Sequence, residues 1–174
     1  MNALERLRRS TDADHVQVDR AFSRFDLADR AGYCRFLTVH AQATFGVEEY
    51  LLGHDDLPHW RPRSALLEAD LAELRVPQAT ASQFSTSGTL ANRLGVLYVL
   101  EGSRLGASVL LRRVKHGLPI RYLSARHQQR EWRTLLAAIE QQAILGGAPF
   151  VASLIEGARA CFQHYLSAAD RHKW

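Results

Sequence analysis

Apolar residues recur every three or four positions along most of the chain, the spacing that sets them on one side of an α-helix. From about Asn2 to Phe25 the stripe is Leu4, Leu7, Thr11, His15, Val18, Phe22 and Phe25. A second predicted helix covers about Ala28 to Leu52, with Tyr33, Phe36, Leu37, His40, Val47, Tyr50 and Leu51 on its apolar side. The stretch from Gly53 to Pro58 ends it. A shorter helix follows Pro62, from about Arg63 to Leu74, and the polar segment Val76 to Gly88 reads as a loop. Next comes a long helix from about Gly88 to His116, stopped by Gly117 and Pro119. Two more are predicted, from Ser124 as N-cap to about Leu145, and from Pro149 to Asp170, separated by Gly146 and Gly147. No segment alternates as a strand would. The pattern predicts an all-α, single-domain helical bundle over residues 1–174.

Composition agrees with that pattern. The five prolines, at 58, 62, 77, 119 and 149, stand at or near predicted helix boundaries, and 47% hydrophobic against 23% charged residues is ordinary for a globular domain. Cys34 and Cys161 match neither a zinc spacing nor a disulfide framework, so they are expected to be reduced thiols of a cytoplasmic protein. The first ten residues are charged with no apolar run behind them, which excludes a secretory signal. No stretch is expected to approach the ~20 apolar residues of a membrane helix. A net charge of +4, with Lys115 and Lys173 as the lysines, gives no basic block for nucleic acid. It suits a small anionic ligand or an acidic protein partner.

Candidate chemistry concentrates in two helices. The fourth predicted helix carries Gly95, Gly102 and Gly106 at i, i+7 and i+11, on one face. Each interior glycine costs ~1 kcal/mol against alanine, so a close approach to the backbone must compensate. Either a neighbouring helix or a flat ligand supplies it, and in the second case Ser103 offers a hydroxyl near that ligand. Glu101 is either a surface carboxylate or a buried, paired one, and Arg104 gives polar support or faces solvent. In the first helix, His15 lies on the apolar stripe, as a satisfied core residue or as a ligand; one neutral imidazole from a helix is the usual axial ligand of haem iron. Asp12, Asp14 and His15 suggest a hard-metal site, but helical geometry points the two carboxylates apart. His40 reads as core, and His54 and His59 bracket Asp55 and Asp56 in a loop. His116, His127, His164 and His172 form no pair at ligand spacing. Metalloprotease, di-iron, P-loop and nucleophile-elbow motifs are missing from the sequence.

Two segments together resemble the haem oxygenases, in their compact bacterial branch. The first is Leu7 to Asp19, reading LRRSTDADHVQVD; the second is Leu97 to Ala107, reading LYVLEGSRLGA, similar to the family's distal-helix signature. Weaker similarity continues through Trp132, Arg133 and the helix that holds Phe162, and helix order agrees over nearly the whole chain. The resemblance implies haem as cofactor and substrate, opened to biliverdin with release of carbon monoxide and ferrous iron. Oxygen is consumed, and electrons come from an external donor, a ferredoxin or an NAD(P)H-dependent reductase. His15 is implied as the iron ligand, and Gly102 and Gly106, with Ser103 between them, as the backbone close to the opposite face. Gly95, Ala107, Thr11 and Phe162 are implied as pocket residues, and Arg8 and Arg133 as partners of the haem propionates. Ala107 stands where many members have a second glycine, and Ser103 where animal-type members have an aspartate, so proton supply falls to other groups. A biliverdin-accepting bacteriophytochrome is one implied partner. The end of the chain, Asp170 to Trp174, predicts a form without the membrane anchor of animal relatives. The alternatives are a haem-oxygenase-like protein that binds haem or another tetrapyrrole without turnover, or a thiaminase-like bundle, for which neither cysteine has the required setting.

Overall fold

In the computed structural model, which describes residues 1–172, the backbone is helical with no strand among the described residues. Lys173 and Trp174, the end of the segment on which an anchor-free form was predicted, lie outside them. The first helix, α1, spans Ala3–Phe22 and opens with a capping box: Asn2 accepts from Glu5 N while Glu5 accepts from Asn2 N. Glu140 accepts from Leu4 N at 3.0 Å, so α1 is also held at its start by a distant helix. Leu7 and Thr11 point inward, but His15, next in that i+4 row, does not. α2, Arg30–Leu51, is the inner helix. Its buried residues, among them Tyr33, Phe36, Leu37, Val39, Ala43 and Val47, lie on more than one side, and each large one contributes ~1.5–3 kcal/mol on leaving water.

α3, Ser64–Glu73, has no cap from its own side chains. Glu48 of α2 takes that role, accepting from Arg63 N at 2.7 Å and Ser64 N at 2.9 Å. α4, Leu90–Leu111, starts at Thr89 with a second capping box to Asn92 and ends before the predicted His116; Gly117 then turns the chain at φ 87°. Where a helix from Ser124 to Leu145 was predicted, a single turn, α5 (Arg121–Ser124), comes first. Ser124 therefore closes an element and caps nothing. α6, Glu131–Asp170, follows after Arg130, which adopts the left-handed region at φ 74°. The predicted break at Gly146 and Gly147 is a kink within this element: Gly147 sits at φ 59°, ψ −150°, ahead of Pro149.

The kink lets both arms of α6 touch α4. Trp132 of the first arm lies against Gly102, and Leu154 and Ala158 of the second lie against Gly95. A Cβ on Gly95 would stand 2.0 Å from the Leu154 carbonyl oxygen, and one on Gly157 would stand 2.1 Å from that of Asn92. The two helices approach at reciprocal glycines. Contrary to the expectation from sequence, α4 and α6 are each long and apolar enough to cross a membrane by length and composition; here they pack on one another.

Candidate active site

α1 and α4 both pack chiefly on α6. A side-chain hydrogen bond joins them directly: Arg8 Nε donates to the Tyr98 hydroxyl at 3.4 Å. On α1, the His15 side chain is 59% exposed, so it is not a core histidine, and its Nε2 lies 3.6 Å from Asp19 Oδ2. Its ring meets Phe162 of α6 edge-on, centroids 5.8 Å apart. On α4, a Cβ on Gly102 would meet Trp132 Cη2 at 3.6 Å, and one on Gly106 would meet nothing within 4 Å. Leu105 and Val109 beside them are 53% and 61% exposed. This end of α4 thus offers bare backbone flanked by uncovered apolar side chains.

The opposite side of the same segment is fastened by buried charge. Arg104 Nε donates to both oxygens of Glu101 at 3.0 Å, and its Nη2 donates to the Arg61 carbonyl. Burial lowers the Arg104 pKa while Glu101 opposes that shift. Arg61 in turn clamps Glu131 with two bonds of 2.8 and 3.1 Å, and Gln128 N donates to the same carboxylate. These bonds hold the Glu131 pKa down at about 2. His127 brings Nε2 to 3.2 Å from Glu101 Oε2 without the alignment of a hydrogen bond, and its ring stacks on Trp132. Its pKa is lowered, chiefly by burial. Deeper in, Arg63 is 1% exposed; its Nη2 donates to the Leu100 carbonyl at 2.9 Å and to Ser103 Oγ at 2.6 Å.

Several residues expected at one pocket fall elsewhere. Gly95 is filled by the Leu154 carbonyl, so the one face that carries three glycines is covered at its first and open at its last. Ala107 is 3% exposed and belongs to the core. Thr11 is 3% exposed with its hydroxyl bonded back to the Leu7 carbonyl at 2.9 Å, so it presents no polar group. The Ser103 hydroxyl donates to the Leu100 carbonyl at 2.6 Å and accepts from Arg63, so it turns away from the glycine face. Of the open alternatives, Glu101 is the buried, paired carboxylate and Arg104 the polar support. Arg8 and Arg133 are exposed, and Phe162 is 9% exposed against His15. His40 is core, its Nδ1 3.1 Å from the Tyr122 hydroxyl. Arg61, Arg63, His127 and Glu131 were missed. They come from loops and helix ends with no periodicity, where a single polar residue carries no sequence signal of its partner.

No known family's sequence profile matches the chain. A haem oxygenase of Xanthomonas campestris pv. campestris (strain 8004) is 33% identical over 150 residues, covering 79% of this chain and 88% of that one. This chain belongs to the haem oxygenases. A solved haem oxygenase, the NO- and CO-bound enzyme from Neisseria meningitidis, shares its fold: the TM-score is 0.75 at 21% identity, over 98% of this chain and 92% of that one. The protein is accordingly an all-α haem oxygenase and an enzyme.

The residues present fit the haem that the family uses. Among the described residues no three His, Cys, Asp or Glu side chains converge as a bare metal ion would require. A single exposed imidazole is the donor set that porphyrin iron takes from a helix. The open backbone at Gly106 and the uncovered Leu105 and Val109 suit a flat, apolar ring.

Proposed function

We propose that haem lies between α1 and the Gly102–Gly106 stretch of α4, with His15 as the iron ligand. The observation that carries this reading is the pairing of an exposed imidazole on one helix with bare, uncovered backbone on another, both helices resting on α6. When bound, haem supplies both the oxygen-activating iron and the ring that is opened to biliverdin, carbon monoxide and ferrous iron. The chain supplies position. Phe162 packs against the imidazole and limits its rotation. Gly102 and Gly106 let the α4 backbone stand close to the ring, leaving little room for bulk water on that side. Trp132 and Tyr98, 5.5 Å apart, give the ring an aromatic margin. Arg8 and Arg133, exposed guanidinium groups on α1 and α6, are suited to the propionates.

Electrons come from an external ferredoxin or NAD(P)H-dependent reductase, and the net charge of +4 favours an acidic donor. The thiols of Cys34 and Cys161 are free, in keeping with work in the cytoplasm. The test of the ligand is His15→Ala. Reconstituted with ferric haem, the variant is expected to lose the low-spin absorption of the wild-type complex. An unchanged spectrum would remove His15 from the iron.

A further inference from the structure

Arg63 is the most deeply buried arginine among the described residues, and it does not touch the proposed haem site directly. It is 1% exposed, and no carboxylate pairs with its guanidinium among the described residues. Its Nε is buried without a partner. A buried cation with no carboxylate partner has its desolvation cost offset only in part by hydrogen bonds, so an apolar side chain of similar volume would serve stability at least as well there. What the residue does make is specific. Nη2 donates to the Leu100 carbonyl at 2.9 Å and to Ser103 Oγ at 2.6 Å, and Ser103 Oγ itself donates to Leu100 O at 2.6 Å. These acceptors bracket Gly102 in sequence. The base of the side chain is fixed as well, since Glu48 accepts its backbone N–H at 2.7 Å and the Tyr122 ring lies 4.8 Å under its guanidinium carbon.

We propose that Arg63 is a positioning residue for the oxygenase reaction: from the start of α3 it grips Leu100 and Ser103 and so fixes where the Gly102–Gly106 backbone stands over the haem face. This rests on the haem placement proposed above. A segment with glycine on its working side has no side chains there to lock its height, so the lock must come from behind. Arg104 is a second fastening, but it is already paired with Glu101 and reaches outward to the Arg61 carbonyl. Among the described residues, Arg63 alone runs from another element into the backbone that brackets Gly102.

The test compares wild type with Arg63→Met, Arg63→Lys and Ser103→Ala, each reconstituted with haem. The readouts are the C–O stretching band of the ferrous complex with carbon monoxide and the isomer composition of biliverdin formed with ascorbate and air. Wild type is expected to give one narrow band and one predominant isomer. Arg63→Met should broaden or split the band and yield mixed isomers, with turnover falling about tenfold to a hundredfold for a displacement near 1 Å. Its His15-dependent low-spin spectrum should persist. Arg63→Lys should recover part of the wild-type band, and Ser103→Ala should move it in the same direction by less. If Arg63→Met does not fold, Ser103→Ala decides: a moved band supports the proposal and an unmoved one overturns it. Unmoved bands and a single isomer in every folded variant would overturn it while leaving the haem placement intact. A wild-type protein without a His15-dependent haem spectrum would overturn both.

Discussion

Gly95 and Gly106 lie eleven residues apart on one helix, and alanine at the two positions should have opposite effects. At Gly95 the new methyl would stand 2.0 Å from the Leu154 carbonyl oxygen and 2.8 Å from Ala158 N, both backbone atoms that cannot rotate away. α4 and α6 must part by roughly 1 Å or more, an overpacking cost of ~1–3 kcal/mol or above, against which alanine returns only ~1 kcal/mol of helix propensity. At Gly106 the methyl meets nothing within 4 Å. The propensity gain then stands alone, and the haem-free protein should be stabilised by ~1 kcal/mol. For a chain of 174 residues that is about 2–4 °C in Tm per kcal/mol. Thermal unfolding followed by far-UV circular dichroism should therefore show Gly106→Ala above wild type and Gly95→Ala below it. Haem titration adds the second half. Under the proposed placement the same methyl at Gly106 enters the haem space and should weaken haem binding about tenfold or more. A Gly106→Ala protein that is destabilised, or that is stabilised yet binds haem like wild type, would refute the assignment of that face.

Two further outcomes follow from buried titratable groups. His40 is packed among Phe22, Phe36 and Tyr122, and burial, reinforced by the nearby Arg63 cation, lowers its pKa to about 3. Unfolded histidine takes a proton near pH 6.5, so stability should be complete above that pH and fall by at most ~1.4 kcal/mol per pH unit between 6.5 and 3. Urea unfolding of His40→Gln across this window should show a flatter slope; an identical slope would exclude His40 as the source. Cys161 is fully buried, and burial raises its thiol pKa, whereas Cys34 is partly exposed. A thiol-reactive chromophore should therefore titrate one cysteine in the native protein and the second only on unfolding. Fast labelling of both would contradict the packing around Cys161.

Helix positions were legible in the sequence because burial imposes a period on apolar residues, and α1, α2, α3 and the second arm of α6 follow it. The start of α6 was not, because Ser124 looks like a cap while the entry to the helix is set by Arg130 in a left-handed turn and by Glu131 binding Gln128 N. His15 and the glycines could be singled out by their cost: a histidine in an apolar row and glycines in a helix interior are locally unfavourable. Spacing alone could not separate Gly95 from Gly106, since the helix that covers the first lies more than fifty residues away in sequence. The same limit hid Arg61, Arg63, His127 and Glu131, whose meaning depends wholly on tertiary partners.

A surface made of backbone is hard for evolution to adjust. At Gly102 and Gly106 any substitution adds a side chain on the face proposed for haem, so variation at those two positions can only obstruct. On the α4 side, the proposed placement leaves the height of that backbone over the ring to be adjusted from behind, through Arg63, Ser103 and Arg104. For that wall of the proposed site, the adjustable part is the scaffolding behind the working face.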